Sequence, residues 1–511
     1  MNDKAIRKIV IVGGGTAGWM TAMPLLQLLR RGPGQSACEI VIVESAEIGT
    51  IGVGEATLPT ILMYNHSIGL DPADFVRKTQ ATFKLGIEFR DWGHLGNRFF
   101  HGFGDFGPAL DNRSPYLHWL RLNQGGDMPS YEEWSTPTMM ARSNRFTPPM
   151  GDRPSAANAY AYAYHFDAGL YANYLRDQAL KHGAVRIDGK IVDVELRPED
   201  GFVAAVKLAD GRRIDGDLFI DCSGLRSLLI EGAMKAGFDD WSDVLPCNSA
   251  QAVPSASSTP ITPYTVSAAK SAGWTWRIPL QHRTGNGHVY CSGFTSDDEA
   301  ARVLLEGLDG QAMDDPRTIR FTTGRRRKSW VKNVVAIGLS AGFLEPLEST
   351  SIYMIHEYIG RLIHFFPDRD FRPELADEFN RLSQIQYESL RDFIVLHYKL
   401  TKRDDSEFWR YCAQMPIPDA LQQQIELFRA SARVSVRDPN SFREPSWVSI
   451  FLGLGLTPQS YPLFIDLIDE GQLRTHFTRV RTAIAQTVAA MPDHGDYIAR
   501  NVQGAPVTRQ R

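Results

Sequence analysis

Cysteine is scarce in this chain, and its placement excludes two common uses of the residue. The 511 residues include Cys38, Cys222, Cys247, Cys291 and Cys412. None forms a CxxC pair and none has a histidine at metal-ligand spacing, so the sequence predicts no metal site. The odd number and wide spacing favour buried free thiols in a reducing compartment. We therefore expect a cytoplasmic protein.

Long apolar runs and a strong charge excess are also missing. No stretch is long enough to cross a bilayer, and a strand pattern begins at Lys8 without a signal-peptide pattern before it. No membrane partner is therefore expected. The formal net charge of -4 gives no reason to expect nucleic acid as a partner. The basic run 325–328 (RRRK) is short and isolated, and it is predicted to be a solvated surface loop.

What the chain does have is a β-α-β pattern near its start. The runs 8–12 (KIVIV) and 39–44 (EIVIVE) are typical of buried parallel strands, and a helix pattern lies between them from about Ala17 to Arg30. Further strand patterns occur at 189–196, 202–208, 218–221 and 333–338. The pattern is mostly helical from residue 351 onward.

The turn after the first strand, Gly13-Gly14-Gly15-Thr16-Ala17-Gly18, fits the GxGxxG pattern of a dinucleotide site. Gly13 would allow the tight turn, Gly15 would let the backbone approach a pyrophosphate, and Gly18 would let helix and strand pack closely. The helix N-terminus suits phosphate because it offers N–H groups and a positive dipole end. Glu44 ends the next strand, where its carboxylate can accept hydrogen bonds from a ribose. The alternative is a glycine turn without a ligand, which the strand–turn–helix context disfavours.

Two later segments favour FAD over NAD. The segments 221–224 (DCSG) and 338–342 (GLSAG) resemble the second and third flavin-contact segments of glutathione-reductase-like flavoproteins. Those proteins often carry aspartate, a ribityl contact, where Leu339 stands here. No second strand–GxGxxG–helix pattern could hold NADPH. We therefore expect the chain to depend on a separate NAD(P)H flavin reductase.

A specific family resemblance rests on the segment 274–279 (WTWRIP), which reproduces the WxWxIP signature of the flavin-dependent tryptophan halogenases. The chain resembles that family also at 52–57 (GVGEAT), 83–86 (FKLG) and 343–350 (FLEPLEST). His397-Tyr398 and 408–410 (FWR) are similar to its C-terminal part. The resemblance spans most of the chain.

The length and this resemblance together predict an α/β flavoprotein of more than one module. We expect a glutathione-reductase-like FAD-binding module over residues 1–365. A β-rich substrate and halogenation region of about 60–330 would be inserted in it. A mostly helical subdomain would follow over residues 366–511.

The resemblance implies that reduced FAD, oxygen and chloride or bromide give hypohalous acid, which then reaches a catalytic lysine. That lysine would be Lys84, which lies among Phe83, Leu85 and Ile87. An ammonium can hydrogen-bond hypohalous acid, and an amine can become a haloamine. The alternative for Lys84 is a surface lysine whose stem lies along apolar residues. Glu348 would stabilise the positive charge that develops on the ring and accept the ring proton, or it is simply a helix N-terminal glutamate.

Further positions follow from the same resemblance. Halide would bind the N–H groups of Thr350 and Ser351, where many tryptophan-acting relatives have glycine at the second position. A flat substrate would stack near His101 and Phe103, His101 alternatively being a satisfied histidine in a polar loop. Trp274 and Trp276 would block the space near the flavin or simply pack in the core. The implied flavin contacts are Gly13, Gly15, Thr16, Ala17, Gly18, Glu44, Ala56, Val192, Gly338, Leu339 and Ile352.

The substrate is expected to be a small electron-rich aromatic, indole or an indole derivative in preference to free tryptophan. Tryptophan-acting relatives carry a lid that grips the amino and carboxylate groups. The segment 431–458 contains Phe442, Glu444 and Trp447 but does not align with that lid. A flavin-dependent aromatic hydroxylase and a non-catalytic flavoprotein-fold module are the alternatives, although hydroxylation needs neither Lys84 nor the WxWxIP segment. The chain is also compatible with a homodimer.

Overall fold

The computed structural model describes residues 4–32, 35–36, 38–45, 47, 54–110, 113–151, 155–257 and 259–502. Gly52 and Val53 of the GVGEAT segment lie outside these residues. The strands are β1 (Lys8–Val12), β2 (Arg30–Gly32), β3 (Gln35–Ser36), β4 (Glu39–Glu44), β5 (Gly54–Ala56), β6 (Thr82–Lys84), β7 (Gly86–Arg90), β8 (Arg98–Gly102), β9 (Ala163–Asp167), β10 (Val185–Asp188), β11 (Ile191–Leu196), β12 (Val203–Leu208), β13 (Arg213–Asp215), β14 (Leu218–Asp221), β15 (Phe238–Asp240), β16 (Ser249–Ser255), β17 (Thr265–Lys270), β18 (Gly273–Pro279), β19 (Thr284–Tyr290), β20 (Arg317–Arg320), β21 (Gly324–Arg326), β22 (Trp330–Val331), β23 (Val334–Ala336) and β24 (Gly342–Phe343).

The α-helices are α1 (Thr16–Leu28), α2 (Thr60–Ser67), α3 (Pro72–Lys78), α4 (Pro115–Leu122), α5 (Thr136–Arg142), α6 (Ala168–Lys181), α7 (Asp297–Glu306), α8 (Thr350–His364), α9 (Pro373–Lys399), α10 (Glu407–Gln414), α11 (Asp419–Ser431), α12 (Glu444–Gly453), α13 (Glu470–Ala489) and α14 (His494–Asn501). This mixed α/β composition agrees with the predicted class. The structure divides into two compact units, each built from three chain segments. The division at residue 365 stays a prediction.

The first unit comprises Met1–Gln80, Phe166–Ser242 and Arg320–Glu388. Its main sheet has the strand order β10-β4-β1-β14-β23-β22, and all neighbours are parallel except β22 and β23. The β-branched side chains of β1 and β4 are almost completely buried, as expected for strands covered on both faces. Because β1, β14 and β23 are parallel neighbours, their carboxyl ends meet at one edge of the sheet.

The second unit comprises Ala81–His165, Asp243–Ile319 and Ser389–Arg511. Its largest sheet has the order β20-β16-β19-β18-β17-β7-β8. The ladder from β16 to β17 is antiparallel, and β7 joins β17 in parallel. Beside this sheet, β6 pairs antiparallel with β9, which places Thr82 opposite His165 and Lys84 opposite Ala163.

The basic run 325–328 is a surface loop, as predicted, only at Arg327 and Lys328, which are exposed, whereas Arg325 and Arg326 belong to a strand. Arg325 is 7% exposed and lies in β21, where its guanidinium pairs with Asp239 at 2.8 Å. Arg326 pairs with Glu231 at 2.9 Å. Isolated arginines are expensive to bury, and these two acidic partners, which are distant in sequence, make the burial tolerable.

The five cysteines are buried free thiols, as predicted. Among the described residues, no helix has the length and apolar character needed to cross a membrane.

Candidate active site

The glycine-rich turn between β1 and α1 is closely packed at Gly13 and Gly18 and open at Gly15. Gly13 has φ +113°, and a Cβ there would overlap the carbonyl oxygen of Cys222 at the end of β14. A Cβ on Gly18 would overlap the carbonyl oxygen of Gly13. A Cβ on Gly15, by contrast, would meet no atom within 4 Å. Two glycines are therefore required by packing, while Gly15 opens the turn toward the space in front of the α1 N-terminus, where anions bind favourably.

Glu44 has a partner that was missed in the sequence. Its carboxylate forms a short ion pair with Arg186 of β10 and lies against Gly14. Arg186 reaches it because β10 pairs directly with β4 in the parallel sheet. If Glu44 accepts a hydrogen bond from a ribose, it does so with the Arg186 guanidinium beside it. Arg186 was missed because the sequence pattern placed the next strand from residue 189 onward.

The third glycine segment lies beside the first, as the flavin hypothesis requires. Gly338 has φ +79°, and a Cβ there would lie 2.8 Å from the Cβ of Ala17. Asp221, in the second segment, is buried and accepts hydrogen bonds from the N–H groups of Ser223, Leu229 and Ile230. It therefore holds this edge of the sheet together.

The remaining predicted flavin contacts differ in exposure. Ala56 and Ile352 are buried in β5 and α8, and Leu339 is half-buried in a 3-10 turn. Val192, on β11, is 61% exposed. Their roles as flavin contacts stay predictions.

Glu348 and the start of α8 form a tight, buried corner. Glu348 ends the 3-10 turn Pro346–Glu348 and is fully buried. Ser349 follows at φ +61°, and α8 begins at Thr350 without a side-chain cap. The N–H groups of Thr350 and Ser351 therefore belong to a helix N-terminus whose capping residue supplies no oxygen. Such a terminus favours an anion.

Lys84 is the last residue of β6 and is completely buried. Its Nζ lies 5.0 Å from the centroid of the Phe103 ring, within the distance of a cation–π contact. The alternative of a surface lysine is therefore wrong. A buried lysine in a strand is rare without a structural or chemical reason.

His101 is not in a polar loop, because it lies in β8 and is 2% exposed. Its ring centroid lies 6.5 Å from that of Phe103, 5.9 Å from that of Phe393 and 5.9 Å from that of Phe442. Phe442 stacks on Phe393 at 4.0 Å, and Trp447 contacts Phe393 at 5.0 Å. These five residues form the aromatic cluster of the second unit, which also contacts Lys84 through Phe103. Phe393 was missed in the sequence, whereas Phe442 and Trp447 were noticed but not placed.

Trp274 and Trp276 lie on one face of β18, because alternate strand residues share a face. Trp274 is 1% exposed, and its ring centroid lies 6.4 Å from that of Trp92 and 6.1 Å from that of Trp276. The ring of Trp276 covers Gly287 on β19 so closely that a Cβ there would overlap it. Both rings therefore pack within the second unit, and their function as a block near the flavin stays a prediction.

Two buried histidines contact the strand that carries Lys84. His494 accepts a hydrogen bond from the Phe83 N–H at its Nε2 atom, 3.2 Å away, and His165 hydrogen-bonds Thr82 through Nδ1 at 3.0 Å. Both are completely buried. Burial lowers the pKa of His494 to about 4. Burial also lowers the pKa of His165, and the nearby charge of Lys84 lowers it further.

Acid should therefore destabilise the protein over a defined range. Above pH 6.5, His494 is neutral in both the folded and the unfolded chain, so its contribution to stability is complete. As the pH falls from 6.5 toward about 4, only the unfolded chain takes up the proton, and the free energy of unfolding drops by about 3 kcal/mol for this residue. His356, whose pKa burial also lowers to about 4, adds a similar loss.

Urea unfolding at about pH 7 and about pH 4.5 measures this loss. The variant His494→Gln has no ionisable group at this position and should show a smaller difference between the two pH values. An equal difference in the variant and the parent would contradict the assignment.

Within each unit, the structure brings together residues that were predicted from separate motifs. The first unit unites Gly13, Gly18, Glu44 and Gly338, and the second unites Lys84, His101 and Phe103. Among the described residues, no group of three or more His, Cys, Asp or Glu side chains is placed to hold a metal ion.

Comparison with known proteins gives consistent matches over the whole chain. Residues 8–470 match the family described as tryptophan halogenase. Tryptophan 7-halogenase KtzQ from Kutzneria sp. (strain 744) is 35% identical over an alignment of 544 positions, which covers 99% of this chain and 100% of that protein.

Two solved structures are also similar. BrvH, a flavin-dependent halogenase from Brevundimonas sp. BAL3, superposes with a TM-score of 0.93 at 45% identity and covers 98% of this chain and 99% of that one. Xcc4156, a flavin-dependent halogenase from Xanthomonas campestris, superposes with a TM-score of 0.93 at 41% identity and covers 97% of this chain and 98% of that one.

Proposed function

Since this chain belongs to the tryptophan halogenase family and is a flavin-dependent halogenase, we propose that it halogenates indole or a simple indole derivative in preference to free tryptophan. A hydroxylase is not favoured, because the relatives are halogenases. A non-catalytic module is disfavoured by the presence of both Lys84 and Glu348. The observation that carries the proposal is the aromatic cluster, whose Phe103 ring lies 5.0 Å from the Nζ of the buried Lys84.

The first unit fits the adenine dinucleotide part of FAD. The turn 13–18 and the first N–H groups of α1 would hold the pyrophosphate, because Gly15 leaves room there. Glu44 would accept a hydrogen bond from the ribose, with Arg186 fixing its carboxylate. Once bound, FAD that a separate flavin reductase has reduced would supply electrons to oxygen. Oxygen is the oxidant that converts halide to hypohalous acid.

Lys84 would hold the electrophilic halogen next to the substrate ring. As an ammonium it would donate a hydrogen bond to the oxygen of hypohalous acid, which makes that oxygen a better leaving group. As an amine it would attack the halogen, so that an N–halogen bond forms, the O–halogen bond breaks, and the hydroxide leaves as water with one amine proton. Either way the buried site keeps water away from a reactive oxidant. The stacked rings of the aromatic cluster are the surface on which a flat indole would lie.

Glu348 would act on the ring after the carbon–halogen bond forms. The ring then carries a positive charge and one extra proton. A fully buried carboxylate stabilises that charge and accepts that proton, which restores aromaticity. Thr350 and Ser351 would hold the halide through their N–H groups at the start of α8.

The preference for indole follows from the character of the aromatic cluster. Phe393, Phe442 and Trp447 offer stacking surface but no charge to pair with a zwitterion. Glu444 begins α12, and burial, with a further contribution from Asp105, raises its pKa. Burying an unpaired charge is costly, so free tryptophan should bind poorly.

A competition between indole and L-tryptophan at equal concentration tests this specificity. With FAD, a generic flavin reductase and either halide, we expect halogenated indole to exceed halogenated tryptophan by about tenfold or more. Tryptamine and indole-3-propionate, each with one of the two charges, identify which charge is rejected. Predominant halogenation of tryptophan would overturn the preference while leaving the halogenase assignment intact.

A further inference from the structure

The strand that carries Lys84 is too short to fix the lysine by its own ladder. β6 has three residues and pairs with β9 at Thr82, Phe83 and Lys84. A short strand with few ladder bonds depends on other contacts for its position. Two buried histidines that follow β6 at very different distances along the chain, His165 and His494, supply such contacts.

His494 fixes the backbone directly before Lys84. Its Nδ1 lies 2.9 Å from the carbonyl oxygen of Ile261, which can only accept, so the ring proton is on Nδ1. Its Nε2 is then an acceptor and receives the Phe83 N–H at 3.2 Å. Only the neutral imidazole satisfies both bonds.

The histidine itself is held firmly at the start of α14. The backbone N–H of His494 donates to the backbone carbonyl oxygen of Asn144 at 2.9 Å. The side-chain amide of Asn144 donates to the carboxylate of Asp493 at 2.8 Å. Next to this contact, Phe146 stacks on Phe83 at 4.1 Å between ring centroids. The side chain of Phe83 and its N–H are therefore fixed by the same small group of residues.

His165 fixes the side chain two residues before Lys84. The Thr82 hydroxyl donates to the carbonyl oxygen of Pro279 at 2.7 Å, so its oxygen accepts from His165 Nδ1 at 3.0 Å. His165 Nε2 then accepts from the Thr265 hydroxyl at 2.9 Å. Pro279 ends the WxWxIP segment, so this chain of bonds links that segment to β6.

We propose that His494 and His165 are positioning residues that fix β6 and thereby aim the Lys84 amine at the substrate ring; this rests on the proposed role of Lys84. Both rings are neutral, so neither brings a positive charge next to the lysine. Aim matters because a displacement of about 1 Å at a reacting group can lower the rate about 100-fold.

The test compares three histidine variants under saturating substrate. His494→Leu removes both hydrogen bonds at similar volume and should lower kcat about 10- to 100-fold while KM changes less than about threefold. His494→Gln retains an acceptor and a donor and should recover kcat to within about threefold. His288→Gln is the matched control, because His288 is equally buried and hydrogen-bonded to the Ala300 carbonyl oxygen but does not contact β6.

Hydrogen exchange gives a second readout that does not depend on turnover. The Phe83 amide should exchange faster in His494→Leu than in the parent, and at the parent rate in His494→Gln and His288→Gln. If His494→Leu does not fold, Thr82→Val carries the test, since it breaks the bonds to His165 and Pro279 and should lower kcat by a similar factor.

The outcomes separate this inference from the proposed function. A kcat in His494→Leu or Thr82→Val within about twofold of the parent, or an equal loss in His288→Gln, would overturn the positioning role. Full halogenation by Lys84→Ala would instead overturn the role of the lysine.

Discussion

Replacement of Lys84 with alanine lowers halogenation by about 1000-fold or more, while flavin oxidation continues near the parent rate. The reason is the place of the lysine in the sequence of steps: it acts on the oxidised halogen after the flavin has reacted. The measurement is product formation by mass spectrometry, together with flavin oxidation followed by absorbance. In the variant, oxidised halogen should be released and should halogenate a scavenger in solution.

Lys78→Ala is the control for this prediction. Lys78 lies at the end of α3 and forms a salt bridge with Asp74 at 2.6 Å near the surface. Its loss should leave product formation unchanged, because an exposed pair of this kind contributes little. Halogenation by Lys84→Ala at the parent rate would show that the buried amine has a structural role only.

Glu348→Gln lowers turnover by about 100- to 10,000-fold. The amide retains the shape of the carboxylate but can neither accept the ring proton at neutral pH nor neutralise the charge on the ring. KM for the aromatic substrate should change little, because the lost interaction forms only in the transition state.

Glu357→Gln serves as the comparison, since Glu357 lies on α8, the helix that follows Glu348, and its side chain is 29% exposed. That variant should keep most of its activity. A rise in KM for Glu348→Gln with kcat unchanged would point to substrate binding instead of proton removal. Unchanged kcat would show that another group removes the ring proton.

The parallel sheet of the first unit could be predicted closely from the sequence. β1, β4 and β14 have the predicted bounds, because strands buried on both faces are nearly continuous runs of apolar residues. The glycine turn was predictable for a similar reason: its requirements for φ and close contact are local, and glycine meets them.

The region between β5 and β9 was much less predictable. It contains α2 to α5, each of seven or eight residues, and strands of three to five residues. Elements this short gain little from intrinsic propensity and depend on tertiary contacts for their stability. The composition of this region therefore gave no bounds for its helices and strands.

The supporting residues of the site were missed because they are distant in sequence. Arg186 reaches Glu44 through strand order, and Phe393 reaches His101 through the fold of the second unit. Phe442 and Trp447 were noticed in a segment that was searched for a lid, yet their partners could not be read from spacing. A motif predicts the residue that reacts; the residues that hold it in place follow from topology.

The contact between His494 and Phe83 also has a consequence for synthesis of the protein. The two residues are separated by 411 positions in the chain. A ribosome therefore releases the segment with Lys84 well before the segment with His494. Until His494 has been synthesised, β6 lacks this support, and under the proposed positioning role the lysine is not yet correctly oriented. A nascent chain that stops before residue 491 would contain both Lys84 and Glu348 and still lack the geometry that makes the lysine useful.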